Sequence, residues 1–98
     1  MNMQNMMKQV QKIQKEMMIE KEKIDGTIFL SKTSIVTVEM KGNKELLNVK
    51  IDAEEISKED VEMLEDMLVV AINDVISQIE KTTEQKLGKY TQGMPGLF

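Results

Sequence analysis

Downstream of Ser57 the apolar residues Val61, Leu64, Leu68, Ala71, Val75 and Ile79 recur at steps of three and four, the spacing of one side of an α-helix. Ser57 with Asp60 three residues on makes a variant capping box ahead of this pattern. Leu87 extends the apolar side, and Gly88 is placed to end the helix. Some thirty residues in that conformation reach about 45 Å. A three-stranded sheet cannot cover such a length, because strands lie only about 4.8 Å apart. The outer half must therefore project, pack on another helix or meet another subunit.

A second amphipathic pattern opens the chain. Between Asn2 and Ile24 the residues Met3, Met6, Val10, Ile13, Met17 and Ile24 share one helical side, with Glu20 the single polar interruption. That helix would run about 35 Å. Asp25-Gly26 breaks the pattern, and three β-branched segments follow at residues 27–31, 35–40 and 45–51. Gly42-Asn43 predicts a two-residue hairpin between the last two, and Lys32-Thr33-Ser34 a turn between the first two. Val36, Val38 and Met40, with Leu47, Val49 and Ile51, fall on one face at period two, and both helices are expected to cover it. The expected fold is α+β: a long N-terminal helix, a three-stranded antiparallel meander and a long C-terminal helix. Residues 1–90 read as one domain and 91–98 as a flexible tail, since Gly93-Met94-Pro95-Gly96 holds turn formers without periodicity.

With 98 residues, this domain would bury only about 60–65% of its unfolded surface, so a partner chain is expected to complete the core. The absence of Cys and His excludes thiol nucleophiles, disulfides, imidazole bases and zinc knuckles. Ser, Thr, Lys and Asp form no recognisable catalytic constellation, so neither an enzyme nor a cofactor is expected. All 13 basic residues are Lys, which removes the bidentate fork that reads guanine edges. The N-terminus lacks a charged segment followed by an apolar one, and the longest apolar run, residues 67–72, is far below the roughly 18 needed to span a bilayer. A cytoplasmic location follows as the expectation.

The net charge of −4 hides a segregation. Residues 1–15 and 81–98 hold Lys8, Lys12, Lys15, Lys81, Lys86 and Lys89 against Glu84 alone, a balance of +5, while residues 16–80 carry −9. Lys8, Lys12 and Lys15 stand at i, i+4 and i+7, a like-charge stripe that disfavours an isolated helix by about 0.2–0.5 kcal/mol per pair. A polyanion relieves that repulsion; the plainer reading is a solvated helix face. Lysines closing the second helix also complement its dipole. The acidic cluster Glu54, Glu55, Glu59, Asp60, Glu62, Glu65 and Asp66 matches no calcium loop or di-iron motif, and carboxylates at a helix start are favoured by the dipole. Asn73-Asp74 in mid-helix points to a buried polar contact that fixes packing or subunit register, in preference to catalysis. Of the ten methionines, Met6, Met17 and Met67 read as gap-fillers along apolar seams. Met3, Met7, Met94, Leu97 and Phe98 would make an adaptable apolar surface near the lysine end.

The order of Met6-Met7-Lys8-Gln9-Val10-Gln11-Lys12-Ile13-Gln14, Ile35-Val36-Thr37-Val38 with Gly42-Asn43, and Val49-Lys50-Ile51-Asp52 continues with Glu62-Met63-Leu64-Glu65-Asp66, Ala71-Ile72-Asn73-Asp74-Val75 and Gly93-Met94-Pro95-Gly96. Over nearly its full length this pattern resembles the YbaB/EbfC family of small nucleoid-associated DNA-binding proteins. The resemblance implies a bacterial-type homodimer whose strands build a joined core and whose helices project as tweezer-like arms that bind DNA. It carries over to the arms as a region, and so to Lys8, Lys12, Lys15, Lys81, Lys86 and Lys89. Lysines there would make point-charge contacts to phosphate, weakly selective and sensitive to salt. With Tyr90 the one tyrosine and no Trp, no stacking platform for single strands is present, so double-stranded DNA in the nucleoid is the expected partner. No membrane and no small-molecule substrate are expected. A helix, a β-meander and a second helix also resemble prefoldin subunits in outline, which leaves open a small acidic chaperone or adaptor gripping a client protein between its helices.

Overall fold

A computed structural model describes residues 2–91. The elements run α1 (Met3–Gly26), β1 (Ile28–Thr33), β2 (Val36–Lys41), β3 (Leu46–Ile51), a short 3-10 turn (Lys58–Asp60) and α2 (Val61–Thr91). The expected α+β order is observed. The expectation of a tail at 91–98 lies outside the described residues, apart from Thr91, which closes α2.

Both ends of α1 and the start of α2 are secured locally. Asn2 caps α1 by accepting the Gln4 N–H on its side-chain oxygen at 3.1 Å, while the Thr27 N–H and hydroxyl donate to the Ile24 and Lys23 carbonyls at the other end. At the entry to α2, the Asp60 carboxylate accepts from the Ser57 N–H and from its hydroxyl, at 3.1 and 2.8 Å. These bonds hold the Asp60 carboxyl below its usual range. Gly88 does not end α2, which continues to Thr91: its backbone keeps a negative φ, so the glycine sits inside the helix and supplies no left-handed cap.

The sheet order is β1-β2-β3, antiparallel throughout. Both turns depart from the expected form. β1 runs on to Thr33, paired with Val36, so the first turn is Ser34-Ile35 and not Lys32-Thr33-Ser34. Ser34 takes a φ of 54°, which lets two residues reverse the chain. In the second turn the left-handed residue is Lys44, at φ 70°, and the reversal takes three residues between Lys41 and Glu45, whose Lys41 N–H···Glu45 carbonyl bond measures 2.9 Å. Gly42 is there for space: a Cβ on it would lie 1.7 Å from the Ile24 carbonyl oxygen, and its own N–H donates to the Thr27 carbonyl. Glycine thus lets this turn press directly on the end of α1.

The core lies between α2 and two strands. Val36, Val38 and Met40 are buried against Ala71, Val75 and Ile79. Val49 and Ile51 share that face, directly opposite Val38 and Val36, yet each remains 36% exposed because α2 lies over β1 and β2 and leaves β3 uncovered. The two helices do not share the sheet as expected. α1 rests on the outer half of α2, touching the sheet only at β2, since Gly42 seats its end beside the hairpin. The radius of gyration of 19.4 Å, against about 13 Å for a compact chain of 100 residues, reflects helices that leave the sheet and travel outward together.

Candidate nucleic-acid interface

The arm is built by α1 running toward the sheet and the outer part of α2 running away from it. Ile24 and Leu87 are buried where they meet, and Ile13 and Met17 are half-buried along the same side of α1. From Asn2 to Lys12 every residue is exposed. About ten residues of α1, roughly 15 Å of helix, therefore stand clear of the described part of α2. Met6, expected in the seam, is one of them and is 49% exposed, because the described part of α2 does not reach it.

At 100° per residue, Lys8, Lys12 and Lys15 occupy the side of α1 opposite its apolar stripe, and all three are exposed. Gln4 and Gln11 flank them, and no acidic residue occurs before Glu16. The first turn of α1 holds no carboxylate, so the positive end of its dipole adds to the lysine charge. On α2, Lys81, Lys86 and Lys89 are likewise exposed, and Lys89 lies 5.0 Å from the Tyr90 ring centre. Lys86 and Lys89 sit on the last turns of α2. Lys81 is placed nearer the sheet, about 15 Å of helix back from Thr91, where its charge lowers the Asp74 carboxyl in a minor way.

Asp74 belongs to the junction that aims the arm. Its carboxylate accepts from the Ser31 hydroxyl at 2.7 Å and from the Gln78 amide at 2.9 Å, and Gln78 also donates to the Leu30 carbonyl on the edge of β1. The Ser31 bond first, and then the Gln78 bond, hold the Asp74 carboxyl below its ordinary value of 3.8. Asp74 thus ties α2 to the sheet through a polar contact, but the contact is not the buried one expected of the mid-helix pair, since Asp74 and Asn73 both stand exposed. Lys44 reaches Glu80 at 3.4 Å and ties the second turn to α2. Neither Ser31, Gln78 nor the Lys44–Glu80 pair was marked by any sequence pattern, since partners 43, 48 and 36 residues apart leave no local signal.

Over residues 1–94 the sequence matches the YbaB/EbfC DNA-binding family. The chain belongs to that family. A nucleoid-associated protein of Lactococcus lactis subsp. cremoris (strain MG1363) is 52% identical over 97% of this chain and 98% of its own. A nucleoid-associated protein of Enterococcus faecalis is 44% identical over 98% of this chain and 94% of its own. The crystal structure of an uncharacterized protein from Helicobacter pylori superposes with a TM-score of 0.73 at 28% identity, over 87% of this chain and 91% of that one. YbaB/EbfC membership makes this a DNA-binding protein, consistent with an arm whose free end carries only positive charge.

Proposed function

We propose that the protein is a homodimeric nucleoid-associated protein, without enzymatic activity, that binds double-stranded DNA in the cytoplasm through lysines on its projecting helices. The observation that carries this reading is the uncovered α1 tip, on which Lys8, Lys12 and Lys15 share an exposed face with no acidic residue. Ammonium groups on such a face make point-charge contacts to phosphates and place the protein on the duplex without reading bases. Lys86 and Lys89, and further back Lys81, extend the positive surface along α2. The acidic body repels the duplex and restricts contact to the arms.

The open β3 strand supports the dimer. α2 occupies the edge of β1 through Gln78, whereas β3 keeps a free edge with Leu46 and Leu47, 47% and 41% exposed, and half-covered Val49 and Ile51. An uncovered apolar edge strand invites pairing with another chain, and a second copy closing on it would complete the core. Arms from two protomers then form the two sides of a clamp.

A fluorescent duplex titrated at about 50 and about 200 mM salt tests the DNA reading: six to ten phosphate contacts predict an affinity loss of roughly 10³–10⁵ between the two conditions. K8Q/K12Q/K15Q should weaken binding similarly on unrelated sequences and reduce the salt slope by about one unit per lost contact. An unchanged slope would remove α1 from the interface. No binding to the duplex even at low salt would favour apolar capture of a client protein instead, an interaction that persists at high salt.

A further inference from the structure

Two side chains on the lysine face of the α1 tip are uncharged amides. Gln4 and Gln11 stand seven residues apart, so at 100° per residue they lie within about 20° of each other, and Lys15, Lys8 and Lys12 follow within about 80° on one side of Gln4. All five residues are exposed. Among the described residues neither side-chain amide is engaged, since the bond from Gln4 to Asn2 uses the backbone N–H. The face is turned away from α2, which covers the opposite side of α1 from Ile13 to Ile24.

We propose that Gln4 and Gln11 read adenine in the major groove of the duplex, while the neighbouring lysines hold phosphates along the groove wall. This rests on the lysine face binding DNA. The major groove, about 12 Å wide, admits an α-helix of about 10–12 Å across, and the roughly 15 Å of α1 that stands clear of the described part of α2 is the length available to enter it. Along the helix axis the two amides are about 10.5 Å apart, close to three steps of the roughly 3.4 Å duplex rise. A glutamine amide offers a donor and an acceptor side by side, and adenine presents the matching N7 acceptor and N6 donor at its major-groove edge. The Arg fork that pairs with guanine is absent from this chain. Base selectivity therefore falls to the amides and favours A·T over G·C.

Fluorescence anisotropy with the full-length protein compares three duplexes: one of A·T-rich sequence, the same duplex with 7-deazaadenine in place of adenine, and a G·C-rich one. 7-Deazaadenine lacks the N7 acceptor, so the major-groove contact is removed while base pairing and the minor-groove edge stay. The unsubstituted protein should bind the first duplex at least about fivefold more tightly than the other two, the lower bound for one good bidentate pair. Q4A/Q11A keeps helix propensity, and the Asn2 cap survives because it is made to backbone. This variant should bind all three duplexes alike, with an unchanged salt slope. Q9A, about 140° around the helix from Gln4, should keep the preference. Equal binding of the three duplexes by the unsubstituted protein would overturn the proposal and leave DNA binding standing. A preference that survives 7-deazaadenine, or that Q4A/Q11A retains, would overturn it as well, because duplex shape would then be read in place of the base edge. Equal weakening of Q4A/Q11A on all three would make the amides backbone contacts and refute base reading. No binding to any duplex would refute the DNA reading itself.

Discussion

Replacing Gly42 with Ala adds one methyl group at the place where the second turn meets α1. That carbon would stand 1.7 Å from the Ile24 carbonyl oxygen and 2.5 Å from its carbon, against a floor of 3.0 Å for such contacts. The turn and the helix end must then separate by at least 1.3 Å, the difference between those two distances. Both obstructing atoms are backbone, so no rotamer change relieves the clash. Overpacking of this kind costs about 1–3 kcal/mol. Separation also strains the Gly42 N–H···Thr27 carbonyl bond, 2.9 Å long, whose loss adds about 0.5–1.5 kcal/mol. A total of about 2–4 kcal/mol is a large part of the 5–15 kcal/mol typical of a domain, and lowers Tm by roughly 10–30 °C. Thermal unfolding followed by circular dichroism, at one fixed protein concentration because association contributes to stability, measures it. Gly88→Ala is the matched control: its Cβ meets nothing within 4 Å, and the helical backbone should gain about 0.5–1 kcal/mol. A fall below about 4 °C for G42A would mean that the turn does not bear on α1 as described.

Three further outcomes follow from the same geometry. Asp74 and Asp60 are depressed by their hydrogen bonds, so their contribution is complete above the ordinary carboxylate value of 3.8 and is lost as pH falls through the lowered folded values. Urea midpoints measured from about pH 6 to about pH 2 should therefore fall less steeply for D74N than for the unsubstituted protein. V49E/I51E places two carboxylates on the open β3 face and should shift sedimentation toward a monomer, whereas an unchanged dimer would place the interface elsewhere. Val38→Ala, at a fully buried site in the core cluster that includes Val75, should cost about 2–3 kcal/mol by urea unfolding.

Local signals in the chain were sufficient for the elements and for the sign of the arm. Val36, Val38 and Met40 alternate with polar residues, and the structure buries those three. The spacing of Ala71, Val75 and Ile79 likewise marks the buried side of α2. The interval of Lys8, Lys12 and Lys15 already places three cations on one helix face, because periodicity alone fixes which side chains share it. The turn details were less legible. Gly42-Asn43 looks like a two-residue reversal, yet the left-handed residue is Lys44, since Gly42 is needed for its missing Cβ against a helix 18 residues earlier in the chain.

What the amino-acid order determined is therefore short-range: two amphipathic helices, three strands, a capped start to α2 and a positive terminus beside an acidic body. Only the tertiary structure decided that α1 leans on α2 and leaves most of the sheet to it, that β3 stays open, and that the first ten residues of α1 reach past the described part of α2. Those features depend on where separate surfaces meet. The close approach of Gly42 to Ile24, the Ser31–Asp74 bond and the reach of Gln78 to β1 join residues with no periodic relation to one another. Periodicity tells which side of an element is apolar; the length and angle of its neighbour determine how much of that side is covered, and so what remains exposed for DNA and for a second copy.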